Sequence, residues 1–127
     1  MKEAAEYTGG RSQCKACRSA QQVIYQRTPA GRESRRRAKL MHRYNMTVED
    51  YDLMLAEQGG HCAICPNREI DNGGRMLSVD HDHQCCPTDR SCGKCVRGLL
   101  CLRCNNSLGW FENHAYEVRE YLLASQR

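Results

Sequence analysis

The sequence predicts a small α+β domain stabilised by zinc and preceded by a basic helical arm. Three observations lead there: ten cysteines, several in short-spaced pairs, within 127 residues; one Phe and one Trp to fill a core; and apolar spacing that switches between helical and strand periods.

A chain of this length has room for one compact domain plus an arm. So few large side chains bury little apolar surface, so a second source of stability is needed. Residues 1–11 carry Lys2, Glu3 and Glu6 and no apolar run, so neither a signal peptide nor a membrane span is expected and the reducing cytoplasm is the expected compartment. There, paired cysteines at short spacing are metal ligands rather than disulfides.

The net charge of +4 conceals an asymmetry. Residues 11–45 hold Arg11, Lys15, Arg18, Arg27, Arg32, Arg35, Arg36, Arg37, Lys39 and Arg43 against the single acid Glu33, whereas acids outnumber bases from Met46 onward. A run this unbalanced attracts polyanions through counterion release, which makes nucleic acid the expected partner and Arg32, Arg35, Arg36, Arg37, Lys39 and Arg43 the expected contacts, with a solvated helix face as the alternative.

In chain order, residues 14–26 open with Cys14-x-x-Cys17 and continue as a helix, interrupted by Thr28-Pro29-Ala30-Gly31. A second helix over residues 32–44 has sparse apolar positions and is expected to be an exposed basic rod ending at Asn45. This divides the chain into an arm, residues 1–46, and a zinc-bound domain, residues 47–127. Thr47-Val48-Glu49-Asp50 is a helix start with a capping hydroxyl and an acid three residues on. Tyr51, Met54 and Leu55 give that helix an apolar face, and Gly59-Gly60 stop it.

The knuckle Cys62-Ala63-Ile64-Cys65 follows. Residues 75–83 are expected as a strand entered from the turn Asp71-Asn72-Gly73-Gly74, and residues 96–100 as a second strand. Cys101-Leu102-Arg103-Cys104 leads into a helix on which Cys104, Leu108 and Phe111 share a face. Asn113 is expected to cap a last amphipathic helix burying Val118, Tyr121 and Leu122. Trp110 and Tyr116 have no stacking platform around them and are expected to pack.

Cys62, Cys65, Cys101 and Cys104 form two knuckles, and four thiolates match the closed tetrahedral site of structural Zn²⁺. Cys92-Gly93-Lys94-Cys95 with adjacent Cys85-Cys86 could complete a second zinc site, or be used only in part. Cys14-x-x-Cys17 is left over; its missing ligands could come from a dimer partner or His42, or the pair could be a remnant of a longer ribbon.

The run Val79-Asp80-His81-Asp82-His83 ends an apolar strand in titratable groups. Carboxylates suit Mg²⁺ or Mn²⁺, and a neutral imidazole can accept a proton from water. A solvated strand end, or a third zinc site using His81 and His83, fits these residues nearly as well.

Taken in order, the first knuckle, Asp80-His81-Asp82-His83, Val96-Arg97-Gly98-Leu99-Leu100-Cys101 and Cys104-Asn105 resemble the phage recombination endonuclease VII family of HNH nucleases over roughly residues 47–111. The resemblance implies a ββα-metal core in which Asp80 and Asn105 bind the catalytic Mg²⁺ or Mn²⁺, His81 is the general base and His83 holds or polarises the scissile phosphate. It also implies that Cys62, Cys65, Cys101 and Cys104 are the structural zinc ligands. Strict strand alternation would set Asp80 and His81 on opposite faces, so a shared site requires a twist or bulge there. Leu108 stands where some members carry an acid, which suggests a single-metal site.

The expected activity is metal-dependent cleavage of duplex or branched DNA leaving a 5′-phosphate, by a phage- or prophage-encoded protein in the host cytoplasm. The rivals are a non-catalytic zinc-dependent DNA-binding protein and a phage packaging or assembly partner. A homodimer would suit paired cuts across a junction.

Overall fold

The computed structural model describes residues 14–126; the expectation drawn from residues 1–11 lies outside them. The described chain is α+β, with four helices and one two-stranded sheet: α1 (Lys15–Arg27), α2 (Pro29–Tyr44), α3 (Val48–Glu57), β1 (Ser78–His81), β2 (Val96–Leu100) and α4 (Leu102–Ala124).

The break between α1 and α2 is a single residue. Thr28 stands before a proline, which disfavours the helical region, and is extended (φ −72°, ψ 158°). Its hydroxyl accepts from the Gly31 N–H at 3.1 Å and donates to the Tyr25 carbonyl at 2.6 Å. Proline is favoured at a first helical position, so α2 starts at Pro29, three residues before the expected Arg32. A Cβ on Gly31 would lie 2.0 Å from the Tyr25 carbonyl oxygen, so the two helices meet where only glycine fits.

Most of α2 is exposed, as expected of a basic rod, but near its C-terminal end Leu40 is buried. Asn45 closes the helix in the left-handed region (φ 49°), a conformation asparagine tolerates, and turns Met46 into the core. The α3 capping box is formed, with the Asp50 N–H donating to the Thr47 hydroxyl at 3.0 Å and the Thr47 N–H to the Asp50 carboxylate at 2.9 Å. Gly59 and Gly60 follow at φ +70° and +80°.

The strands form an antiparallel hairpin pairing Ser78 with Leu100, Val79 with Leu99, Asp80 with Gly98 and His81 with Val96. Arg97 is therefore the extra residue of a bulge between Asp80 and His81. β1 is shorter than the expected 75–83 at both ends: it starts at Ser78, and it stops at His81 because a turn begins at Asp82, whose carbonyl accepts from the N–H groups of Cys85 and Cys86 and whose carboxylate accepts from that of Gln84. On the outer side of β2, Gln58 grips Leu99, accepting from its N–H at 2.8 Å and donating to its carbonyl at 2.9 Å.

The core comprises Leu40, Met46, Val48, Tyr51, Cys62, Leu77, Val79, Leu99, Leu100 and Cys101. Tyr51, fully buried there, donates to the Leu77 carbonyl at 3.1 Å. Burial, then the nearby Glu69, push the Tyr51 phenol well above its usual range, so it remains a donor.

Two expectations for the C-terminal part are corrected. The helical run is continuous past Asn113, with its kink at His114 (φ −131°). The face meant to be buried is open: Val118 is half-buried, but Tyr121 and Leu122 are exposed, as is Phe111. Their spacing is amphipathic, yet most of this face stays exposed. Trp110 is also exposed and stacks on His114 at 4.7 Å.

Candidate functional site

The site is built around the bulged end of the hairpin and two groups of cysteines. The Cys62, Cys65, Cys101 and Cys104 sulfurs all lie within 4.8 Å of one another, and so do those of Cys85, Cys86, Cys92 and Cys95. Tetrahedral Zn–S bonds of about 2.3 Å put sulfurs about 3.8 Å apart. The Cys65–Cys101 separation is 3.7 Å, and within the second group Cys92–Cys95 is 3.8 Å and Cys85–Cys92 is 4.0 Å. Both sets fit Zn²⁺ in chemistry and spacing, and no disulfide joins any of them.

The sulfurs of each group also perturb one another. Burial pushes the Cys62 thiol up, but the N–H groups of Cys65, Ile64 and Cys101 outweigh it and bring it down to about 7. The Lys94 N–H leads in bringing Cys92 down to about 7. Cys104 is pushed up, by burial and then by neighbouring thiols, and Cys85 by neighbouring thiols to about 12. Sulfurs that crowd one another this way favour a shared cation.

The two groups differ in setting. The first joins the end of α3 to the hairpin and α4, with Cys62 and Cys101 buried in the core. The second stands in the exposed 82–95 loop, which docks on the end of α2: the Ser91 N–H donates to the Arg43 carbonyl at 2.6 Å, Asn45 Nδ2 to the Cys92 carbonyl at 3.1 Å, and Arg43 pairs with Asp89 at 3.2 Å. Cys14 and Cys17 join neither group among the described residues; their sulfurs lie 3.0 Å apart at the start of α1.

Asp80 and His81 are both buried, at 8% and 4% exposure. Strict alternation would turn Arg97 away from Asp80, whose partner is Gly98; the bulge instead lets Arg97 grip the carboxylate twice, Nε to Oδ2 at 2.8 Å and Nη2 to Oδ1 at 3.2 Å. Nη1 of the same guanidinium meets Glu112 of α4 at 2.5 Å. The two carboxylates hold Arg97 firmly in its charged form.

His81 is held from the loop side. Its Nε2 lies 3.1 Å from the Cys86 carbonyl and 3.0 Å from that of Thr88. Carbonyls only accept, so Nε2 carries the proton, and in the neutral ring Nδ1 is the basic atom. His83 is exposed, with its ring 4.6 Å from that of His81. It lines a cleft of about 700 Å³ with Asp82, Gln84, Arg97, Leu108, Phe111, Glu112 and Asn113. Asn105 is half-buried in the first turn of α4, the helix that packs on both strands.

The sequence had marked Asp80, His81, His83 and Asn105 but neither Arg97 nor Glu112 as site residues. A lone charge in the apolar run Val96-Arg97-Gly98-Leu99-Leu100 was the available signal for Arg97; Glu112 had none.

The arm's basic residues are not equivalent. Arg36 pairs with Asp52 at 2.5 Å and lies over the Tyr51 ring, joining α2 to α3. Arg32 and Arg35 donate to the Arg27 and Gln26 carbonyls at the end of α1. Arg37 and Lys39 are exposed. No helix among the described residues is long and apolar enough to cross a membrane.

Comparison with known proteins points the same way. The chain is similar to the Gene 59 protein of Mycobacterium phage D29, 42% identical over 74 residues, and to that of Mycobacterium phage L5, 37% identical over 73 residues. Each match covers 57% of this chain and 38% of the relative, so the chain spans well under half the length of these curated relatives. No solved structure matches. The family model described as recombination endonuclease VII matches residues 37–124, from the end of the basic run through both cysteine groups and the hairpin to the end of α4, and the chain therefore belongs to the recombination endonuclease VII family.

Proposed function

We propose that this chain is a metal-dependent DNA endonuclease of the HNH, ββα-metal type, hydrolysing phosphodiester bonds at the bulged end of the hairpin. The observation that carries the reading is the His81 ring: two main-chain carbonyls fix its Nε2–H, leaving Nδ1 as a proton acceptor on the residue next to the buried Asp80.

In this reading Asp80 and Asn105 hold Mg²⁺ or Mn²⁺, and such an ion, when bound, polarises the phosphate and stabilises the departing oxygen. The donors fit a hard cation, being a carboxylate and an amide oxygen. His81 takes the proton of the attacking water through Nδ1. His83, exposed in the cleft, holds the phosphate. Arg97 neutralises the Asp80 carboxylate, and its guanidinium could contact the phosphate. Cys62, Cys65, Cys101 and Cys104 hold the structural zinc, while Arg37 and Lys39 are the arm's free contacts to the DNA backbone. Duplex or branched DNA is the substrate class.

The second reading, a zinc-dependent DNA-binding protein without chemistry, is favoured by one observation: the Asp80 carboxylate already has a cationic partner in Arg97. Nicking of supercoiled plasmid by the isolated protein with Mg²⁺ or Mn²⁺ separates the two. Relaxed and linear products support the endonuclease; plasmid that is bound but uncut with either ion supports the alternative.

A further inference from the structure

The groups that orient His81 belong to the loop rather than to the hairpin. The Cys86 carbonyl is the main chain of a cysteine in the second group, and Thr88 lies two residues on, in a segment bounded by Cys86 and Cys92. That segment has no regular secondary structure, and Cys85, Thr88, Asp89, Arg90 and Cys92 are exposed. Apolar packing therefore does little to hold it. What orders it is the turn at Asp82, the contacts with the end of α2, and the convergence of four sulfurs, including the Cys92 N–H bonded to the Cys86 sulfur at 3.3 Å.

We propose that the Cys85, Cys86, Cys92 and Cys95 centre is a positioning site for His81, in which a bound Zn²⁺ fixes the loop so that the Cys86 and Thr88 carbonyls set the imidazole's tautomer and orientation. The effect on cleavage rests on the endonuclease reading above; the effect on the His81 ring does not. The two cysteine groups then have separate tasks. The buried one joins the core, and the exposed one orients a side chain beside Asp80. Groups that orient a reacting side chain from behind typically change rates by about 10 to 100-fold when lost, without abolishing the fold.

The test uses the full chain and four preparations: wild type, Cys92→Ser, Cys85→Ser and Cys92→His. Zinc stoichiometry, thermal unfolding, the NMR signal of the His81 Nε2–H (assigned by its loss in His81→Ala) and the nicking rate are measured on each. Cys92→Ser and Cys85→Ser are expected to lose one zinc per chain, remain folded, lose the slowly exchanging Nε2–H signal, and nick about 10 to 100-fold more slowly through kcat. Cys92→His, which restores a zinc ligand, is expected to recover the zinc, the signal and most of the rate. Serine variants that keep both zinc ions, or that lose one while the Nε2–H signal and rate stay at wild-type values, overturn the proposal. So does unfolding of both serine variants, which would make this centre a folding staple like the first. If wild type itself cuts no DNA, the endonuclease reading fails, and the Nε2–H signal still decides whether this centre positions His81.

Discussion

Asp80 and Arg97 form a two-pronged ion pair across the hairpin, at 2.8 and 3.2 Å, and they meet because Arg97 is the extra residue of the bulge. The pair places a cation against a buried carboxylate that is assigned here to a divalent ion. Removing Arg97 removes a competitor, so Arg97→Ala is expected to lower the Mg²⁺ concentration for half-maximal nicking several-fold. It also removes a phosphate contact, so the maximal rate falls. Because the guanidinium is partly exposed, the loss of stability is expected to be about 1–2 kcal/mol. A metal titration of the nicking rate checks this; an unchanged half-saturation point removes Arg97 from the site.

The first cysteine group is proposed to be a folding element. Cys62 and Cys101 are buried among the core side chains, and a structural zinc in a small domain supplies on the order of 10 kcal/mol of folding free energy. Cys62→Ser and Cys101→Ser are expected to be unfolded or insoluble, and prolonged chelation of the wild type is expected to melt the α3, hairpin and α4 contacts together. Circular dichroism with metal analysis of the same samples checks it. A folded, zinc-free Cys62→Ser protein would contradict the assignment.

The arm separates into residues that hold the fold and residues free to meet DNA. Arg37→Ala with Lys39→Ala is expected to weaken binding to all DNA sequences alike and to reduce the salt dependence by about one unit of slope per contact removed. Arg36→Ala is expected to act differently, destabilising the protein by about 1 kcal/mol through loss of Asp52 and the Tyr51 ring. Binding isotherms at several salt concentrations, paired with thermal melts, distinguish them.

Much of this structure was legible in the sequence, for a common reason. The Thr47–Asp50 capping box, the glycine stop and the cysteine knuckles are local, so spacing along the chain determines their geometry. Strand alternation also showed that Asp80 and His81 could share a site only through a twist or bulge in their own strand; the bulge in the pairing has its extra residue, Arg97, in the opposite strand. Which residue the bulge would re-aim was not legible, because that depends on pairing register between strands separated by the cysteine loop. Nor were the carbonyls of Cys86 and Thr88, since main-chain acceptors leave no mark in residue type. The expected burial of Tyr121 and Leu122 failed for a third reason: an amphipathic pattern identifies a face but not what covers it.

Asp80→Ala and Asn105→Ala are expected to stop nicking at low Mg²⁺ by weakening the divalent-ion site, with partial recovery at high Mg²⁺ or Mn²⁺. Zinc content and DNA affinity are expected to stay near wild type. Rates measured across a metal titration check this, and nicking by Asp80→Ala at the wild-type rate in low Mg²⁺ would remove the carboxylate from the ion site.

The central claim is that His81 removes a proton from the attacking water, and the most direct test is the nicking rate of His81→Ala measured with zinc stoichiometry and DNA affinity on the same preparation. The account predicts a fall of about 10² to 10⁴-fold in cleavage that no excess of Mg²⁺ or Mn²⁺ restores, with zinc and binding nearly unchanged. A folded His81→Ala protein that nicks plasmid at the wild-type rate would contradict it, and one that loses zinc and unfolds would make His81 a structural ligand instead.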